Sequence, residues 1–208
     1  MNARHFFKTA ILAAALAFTA TTGTAQSTLG PDHPTADLVK KYLVAIVEQD
    51  WDTASSMIFP LSLEARQQKM VAALKNSPTM TEEAARLKLL GLKDIGELEK
   101  MTGQQAYIAD RKAVYARMPI EADVIKKKKE SLKINILGLI PENDAKIVHA
   151  VVRTNQETNE TAISELLLIS LIQDKADSKK WFINPDMQQP IATPLAGAEA
   201  PAPAATKK

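Results

Sequence analysis

The 208-residue chain contains no cysteine, so no disulfide can brace it and no thiolate can act as nucleophile or metal ligand. Histidine is almost as scarce, at three residues. His5 lies in the N-terminal 25 residues and His33 at the very start of the domain, which leaves His149 for the main body of the chain. A multi-histidine metal site within one core is thereby excluded. Phosphate-cradling glycine loops are missing, as are HExxH and GxSxG. The acidic stretch "PENDAK" lacks the ligand spacing of a calcium loop. No metal and no cofactor are expected. Charge of one sign is also missing: 26 Lys and Arg stand against 24 Asp and Glu, and removal of Arg4 and Lys8 leaves 24 of each. A neutral chain carries no electrostatic footprint for nucleic acid.

Long apolar runs are confined to the start. Arg4 and Lys8 precede "TAILAAALAFTA", which leads into the small-residue stretch "TGTAQS". This order of basic, apolar and small residues predicts a secretory signal peptide over 1–25, cleaved after Ala25. A membrane span needs about 20 apolar residues, so the run is short for one; a retained N-terminal anchor is the alternative. The alanine-rich run is of bacterial type, which predicts an exported chain, periplasmic or extracellular, with no integral membrane segment once mature. At the other end, "QQPIATPLAGAEAPAPAATKK" has too little to bury to offset its chain entropy. The expected organisation is signal peptide 1–25, N-terminal arm 26–32, one domain over 33–187 and a disordered Pro/Ala-rich tail over 188–208.

The first half of that domain has helical periodicity. In "PTADLVKKYLVAIVEQD", Thr35 is placed to cap the start, and Leu38, Tyr42, Leu43, Ile46 and Val47 form one stripe. Asp50 is placed to cap a short helix that Pro60 ends. A stripe of Leu63, Met70, Val71 and Leu74 follows, then a helical stretch that breaks near Gly91 and continues through Leu92, Ile95, Leu98 and Met101. Thr102 and Gln105 are spaced as a capping box ahead of Tyr107, Val114, Tyr115 and Met118.

From about residue 123 the period changes. "SLKINILGLIP", "AKIVHAVVRTNQE", "TAISELLLISLIQD" and "KKWFINPD" read as strands, joined by the turns "PEND", "NQETNE" and "KADS". Short turns pair consecutive strands antiparallel. The fold predicted is α+β: N-terminal helices packed on a curved antiparallel meander of about four strands, a cone-shaped roll. The four lysines at 126–129 read as a solvated strand entrance, with an anion or membrane-surface contact as the alternative.

The Asp50-Trp51 junction, the helices-then-meander order, Leu137-Gly138, Glu142 and "HAVVR" together resemble the nuclear-transport-factor-like superfamily. That roll is shared by ketosteroid isomerases and polyketide cyclases of the SnoaL type. The likeness is to its small exported bacterial members, with their pattern lGxxxE…a.VvvR. It implies a curved sheet around the first helix and a pocket between them, which the helical stretch from 61 to 118 could lid or fill. No catalytic position of the enzyme members matches here.

One constellation remains for chemistry. Strand alternation puts His149 and Arg153 on one face. If odd positions of neighbouring strands pair, Glu165 joins them; if the register shifts by one, it lies on the opposite face. The expected function is an exported module that binds a small apolar ligand or a protein without catalysis, with a homodimer through the sheet. Arg153, Tyr107 and Tyr115 are its candidate binding residues. The rival expectation is a pocket enzyme of isomerase, dehydratase or hydrolase type, using His149 with Glu165 or Asp110.

Overall fold

A computed structural model of the chain describes residues 28–142, 144–158 and 161–191, the last six as backbone. The expected signal peptide and the chain beyond 191 lie outside the described residues.

Seven helices precede four strands: α1 (Pro34–Glu48), α2 (Trp51–Ser56), α3 (Pro60–Lys75), α4 (Met80–Leu90), α5 (Ile95–Lys100), α6 (Gly103–Arg117), α7 (Ala122–Ser131), β1 (Lys133–Pro141), β2 (Ile147–Glu157), β3 (Ala162–Gln173) and β4 (Trp181–Ile191). The strands form one antiparallel sheet in the order β1-β2-β3-β4, the predicted α+β meander. Pairing continues past residue 187, with Leu166 opposite Ile191. No described helix is long and apolar enough to cross a membrane.

Local chemistry explains most of the boundaries and corrects three expectations. Pro34 occupies the first turn of α1, where its missing N–H costs nothing. The cap is therefore His33, two residues before the expected Thr35, and its Nδ1 lies 2.8 Å from Thr35 Oγ1. Pro60 likewise opens α3 rather than closing α2. Asp50 does cap α2, accepting from the Thr53 N–H at 3.0 Å. The Thr102–Gln105 capping box starts α6. The lysine run is helical, not a strand entrance. Lysine is a good helix former, Lys126 faces Glu130 one turn on, and Lys129 pairs with Glu48 of α1.

The main core lies between α1 and one face of the sheet. Val148, Ala150, Val152 and Thr154 of β2 are buried there with Ile169 and Leu171 of β3, Ile183 of β4, and Val39, Tyr42 and Leu43 of α1. Leu74, Leu87, Leu98 and Ala106 make a second, smaller cluster among α3 to α6. Met118, expected on the apolar stripe of α6, is exposed beyond the helix end.

Both edges of the sheet meet other chain segments. Beside β4, Ile58 bridges Ile183 in parallel: the Phe59 N–H donates to the Ile183 carbonyl at 2.9 Å and the Ile183 N–H to the Met57 carbonyl at 2.8 Å. Beside β1, the Leu29 N–H donates to the Leu139 carbonyl at 2.8 Å.

Candidate functional site

A cavity of about 530 Å³ opens between the helices and the inner face of the sheet. Tyr42, Leu43, Ile46 and Val47 enter it from α1, because these positions share the helix face turned toward the sheet. Trp51 of α2 and Tyr107 and Tyr115 of α6 extend an aromatic wall. The Trp51 and Tyr115 ring centroids are 4.9 Å apart, and Tyr107 is hydrogen-bonded to Tyr42. Leu167, Ile169 and Thr154 form the sheet side; Ile125 and Lys128 reach in from α7, and Glu165 lies exposed at the rim.

The polar part of the wall comes from the helical segment. Arg66 of α3 and Arg111 of α6 both line the cavity. Their ω-nitrogens bond the same oxygen, Oδ2 of Asp110, at 2.7 and 2.8 Å. Each guanidinium also stacks on the Tyr107 ring, at 5.6 and 5.7 Å from its centroid, a favourable cation–π distance. Burial raises the Tyr107 hydroxyl above its ordinary pKa despite the nearby arginines, so it stays protonated. Burial alone would raise the Asp110 carboxyl, but hydrogen bonds from Arg111 and Arg66 outweigh it and hold the carboxyl below the usual range.

Asp110→Asn follows as a test of this cluster. The side chains of Arg66, Asp110 and Arg111 are 36, 23 and 28% exposed, between the surface and buried regimes, so the expected loss at neutral pH is about 2 kcal/mol. A carboxyl depressed in the folded state stabilises fully above the unfolded carboxylate pKa of about 3.9 and loses that contribution as pH falls through the lower folded value. Urea melts of wild type and variant should therefore converge in acid. A gap that persists undiminished at the lowest pH would refute the ionic account.

The sequence-derived candidates divide between the two faces. Tyr107 and Tyr115 line the cavity. Thr154 stands opposite Glu165, which is the register shifted by one, so Glu165 shares the inner face while His149 and Arg153 point outward. The pairing of His149 with Glu165 or Asp110 is accordingly not formed, and the exposed Arg153 takes no part in the cavity. His149 Nδ1 instead lies 2.9 Å from Ser170 Oγ, and Nε2 lies 2.9 Å from Glu142 Oε1. A serine, a histidine and a carboxylate thus form a string, but Ser170 is fully buried and none of the three lines the cavity. A hydroxyl without exposed surface cannot meet a substrate as a triad nucleophile must; this string fastens β2, β3 and the end of β1.

Arg66, Arg111 and Gln156 of the cavity are additions to the residues singled out from sequence. The four-residue step from Tyr107 to Arg111 on one helix is a readable sign of their contact. Nothing in the sequence signals that Arg66, 44 positions from Asp110, joins them. Among the described residues, no group of three or more His, Cys, Asp or Glu side chains is placed to hold a metal ion.

No family model, no curated protein and no solved structure matches this chain.

Proposed function

We propose that this chain is an exported, non-catalytic binding module of the nuclear-transport-factor-like type, holding a small apolar ligand in the cavity between α1 and the sheet. The observation that carries this reading is the cavity itself. Its volume of about 530 Å³ falls inside the range of about 300–1,000 Å³ typical of ligand pockets. Aliphatic and aromatic side chains make up most of its wall, the usual composition of such sites, with a few polar groups converging on it. The outward placement of His149 favours binding over the enzymatic alternative. Export rests on the N-terminal sequence pattern alone.

The test uses the neutral fluorescent probe N-phenyl-1-naphthylamine. Saturable one-to-one uptake is expected, with energy transfer from Trp51, which lines the cavity, reduced in Trp51→Phe to what Trp181 supplies. Leu167→Trp, at a partly buried sheet position facing the cavity, should abolish uptake while circular dichroism stays unchanged. Uptake that does not saturate, or that survives filling of the cavity, would sink the proposal.

A further inference from the structure

Three buried side-chain polar atoms among the described residues lack a hydrogen-bond partner: Arg66 Nε, Arg111 Nε and Gln156 Oε1. All three residues line the one cavity. Buried polar groups are nearly always paired, and each exception asks for an explanation. Gln156 is on the inner face of β2, two residues from Thr154, and its amide can turn over, so it calls for a polar partner without fixing donor or acceptor. Arginine leaves no such freedom. A guanidinium offers five donors and no acceptor, and both guanidinium side chains line the cavity, so whatever meets them there has to be an acceptor.

Charge points the same way. The two guanidiniums share a single carboxylate oxygen, which leaves one positive charge uncompensated within the cluster. Stacking on Tyr107 and bonding to Asp110 hold both forks in place before any ligand arrives, which lowers the ordering cost of binding. Two planar guanidinium forks lining one cavity suit a carboxylate, which accepts in the same geometry. Beyond this polar end the wall is Trp51, Tyr115, Ile46 and the sheet residues Leu167 and Ile169. We infer that the cavity takes an amphipathic monoanion, a carboxylate on an apolar body, with its head on Arg66 and Arg111 and its body against the aromatic and aliphatic wall. This rests on the cavity being a ligand site and specifies what that site selects.

The experiment compares two compounds with the same body, decanoate and decanol, as displacers of the neutral probe at pH 7.5, where the acid is ionised. In the wild-type protein decanoate should displace the probe at about tenfold lower concentration than decanol, as expected of a charge-assisted hydrogen-bonded pair. In Arg111→Gln and in Arg66→Gln the ratio should fall toward one, chiefly through weaker decanoate binding. The wild-type ratio decides by itself if either variant fails to fold. Equal displacement in the wild type overturns the anion inference and leaves the apolar site standing. A preference for decanoate that persists in both folded variants overturns the assignment to these arginines. Failure of both compounds, together with failure of the probe to bind, overturns the site as well.

Discussion

Truncating Leu171 to alanine is expected to lower the unfolding free energy by about 3–5 kcal/mol, out of about 5–15 kcal/mol for a typical domain. Leu171 is fully buried. It stands opposite Val148 on one side and Ile183 on the other, both also without exposed surface, so three adjacent strands close over it and leave little room to collapse into the space a missing isobutyl group creates. The cost is then the lost transfer energy together with the cavity term. Urea denaturation followed by circular dichroism measures it. A loss below about 1 kcal/mol would mean that the site relaxes in spite of this packing. Probe uptake, measured where the variant is still folded, should change little, because Leu171 does not line the cavity.

The second large effect is expected at Gly103, where helix propensity and packing give opposite signs. Alanine is favoured over glycine by about 1 kcal/mol in a helix interior and by less at the first residue of α6, so propensity alone makes Gly103→Ala mildly stabilising. A Cβ at this position, however, would lie 2.5 Å from the Glu64 nitrogen and the Leu63 carbonyl carbon and 2.7 Å from the Leu63 oxygen. Those atoms are α3 backbone, which cannot swing aside as a side-chain tip can. The helices must separate, and overpacking of this kind costs about 3 kcal/mol. The separation also reaches the candidate site, since α3 carries Arg66 and α6 carries Tyr107, Asp110 and Arg111. Gly103→Ala should lower the melting temperature and reduce the decanoate preference together. Gly138→Ala, where an added Cβ meets nothing within 4 Å, should alter stability by no more than about 0.5 kcal/mol. Equal behaviour of the two variants would refute the contact argument.

Much of the fold was legible because local chemistry and burial agree. The turns "PEND" and "KADS", the Asp50 cap and the Thr102–Gln105 box are short-range signals, and each ends or starts an element where expected. Pro34 and Pro60 were ambiguous for a physical reason: proline both ends one helix and suits the first turn of the next. The lysine run misled because charge says where a segment meets water, not which period it follows; Ile125 and Lys128, three apart, turn toward the cavity on a helix. Register was the point that sequence left open. It is decided by burial, since only the observed pairing sets Val148, Ala150 and Val152 against Leu171, Ile169 and Leu167 on one face. That same choice sends His149 outward and Glu165 inward. The candidate site was therefore half readable: its tyrosines lie at helical spacing, whereas its arginines come together only when α3 packs on α6.

Strands as rich in Ile, Val and Leu as β2 and β3 carry a hazard that their place in the meander removes. They are the inner strands, and the outer two each meet a short segment from elsewhere in the chain: Met57–Phe59 at Ile183 of β4 and Leu29 at Leu139, near the end of β1. What β1 still offers begins at the charged Lys133 and runs into the irregular pairing between Ile136 and Gly138, both deterrents to strand addition. These two segments cover the sheet edges at Ile183 and Leu139, so loosening either one lengthens the strand edge open to pairing, which gives a few residues near position 29 and the α2–α3 junction a part in keeping the protein from self-pairing.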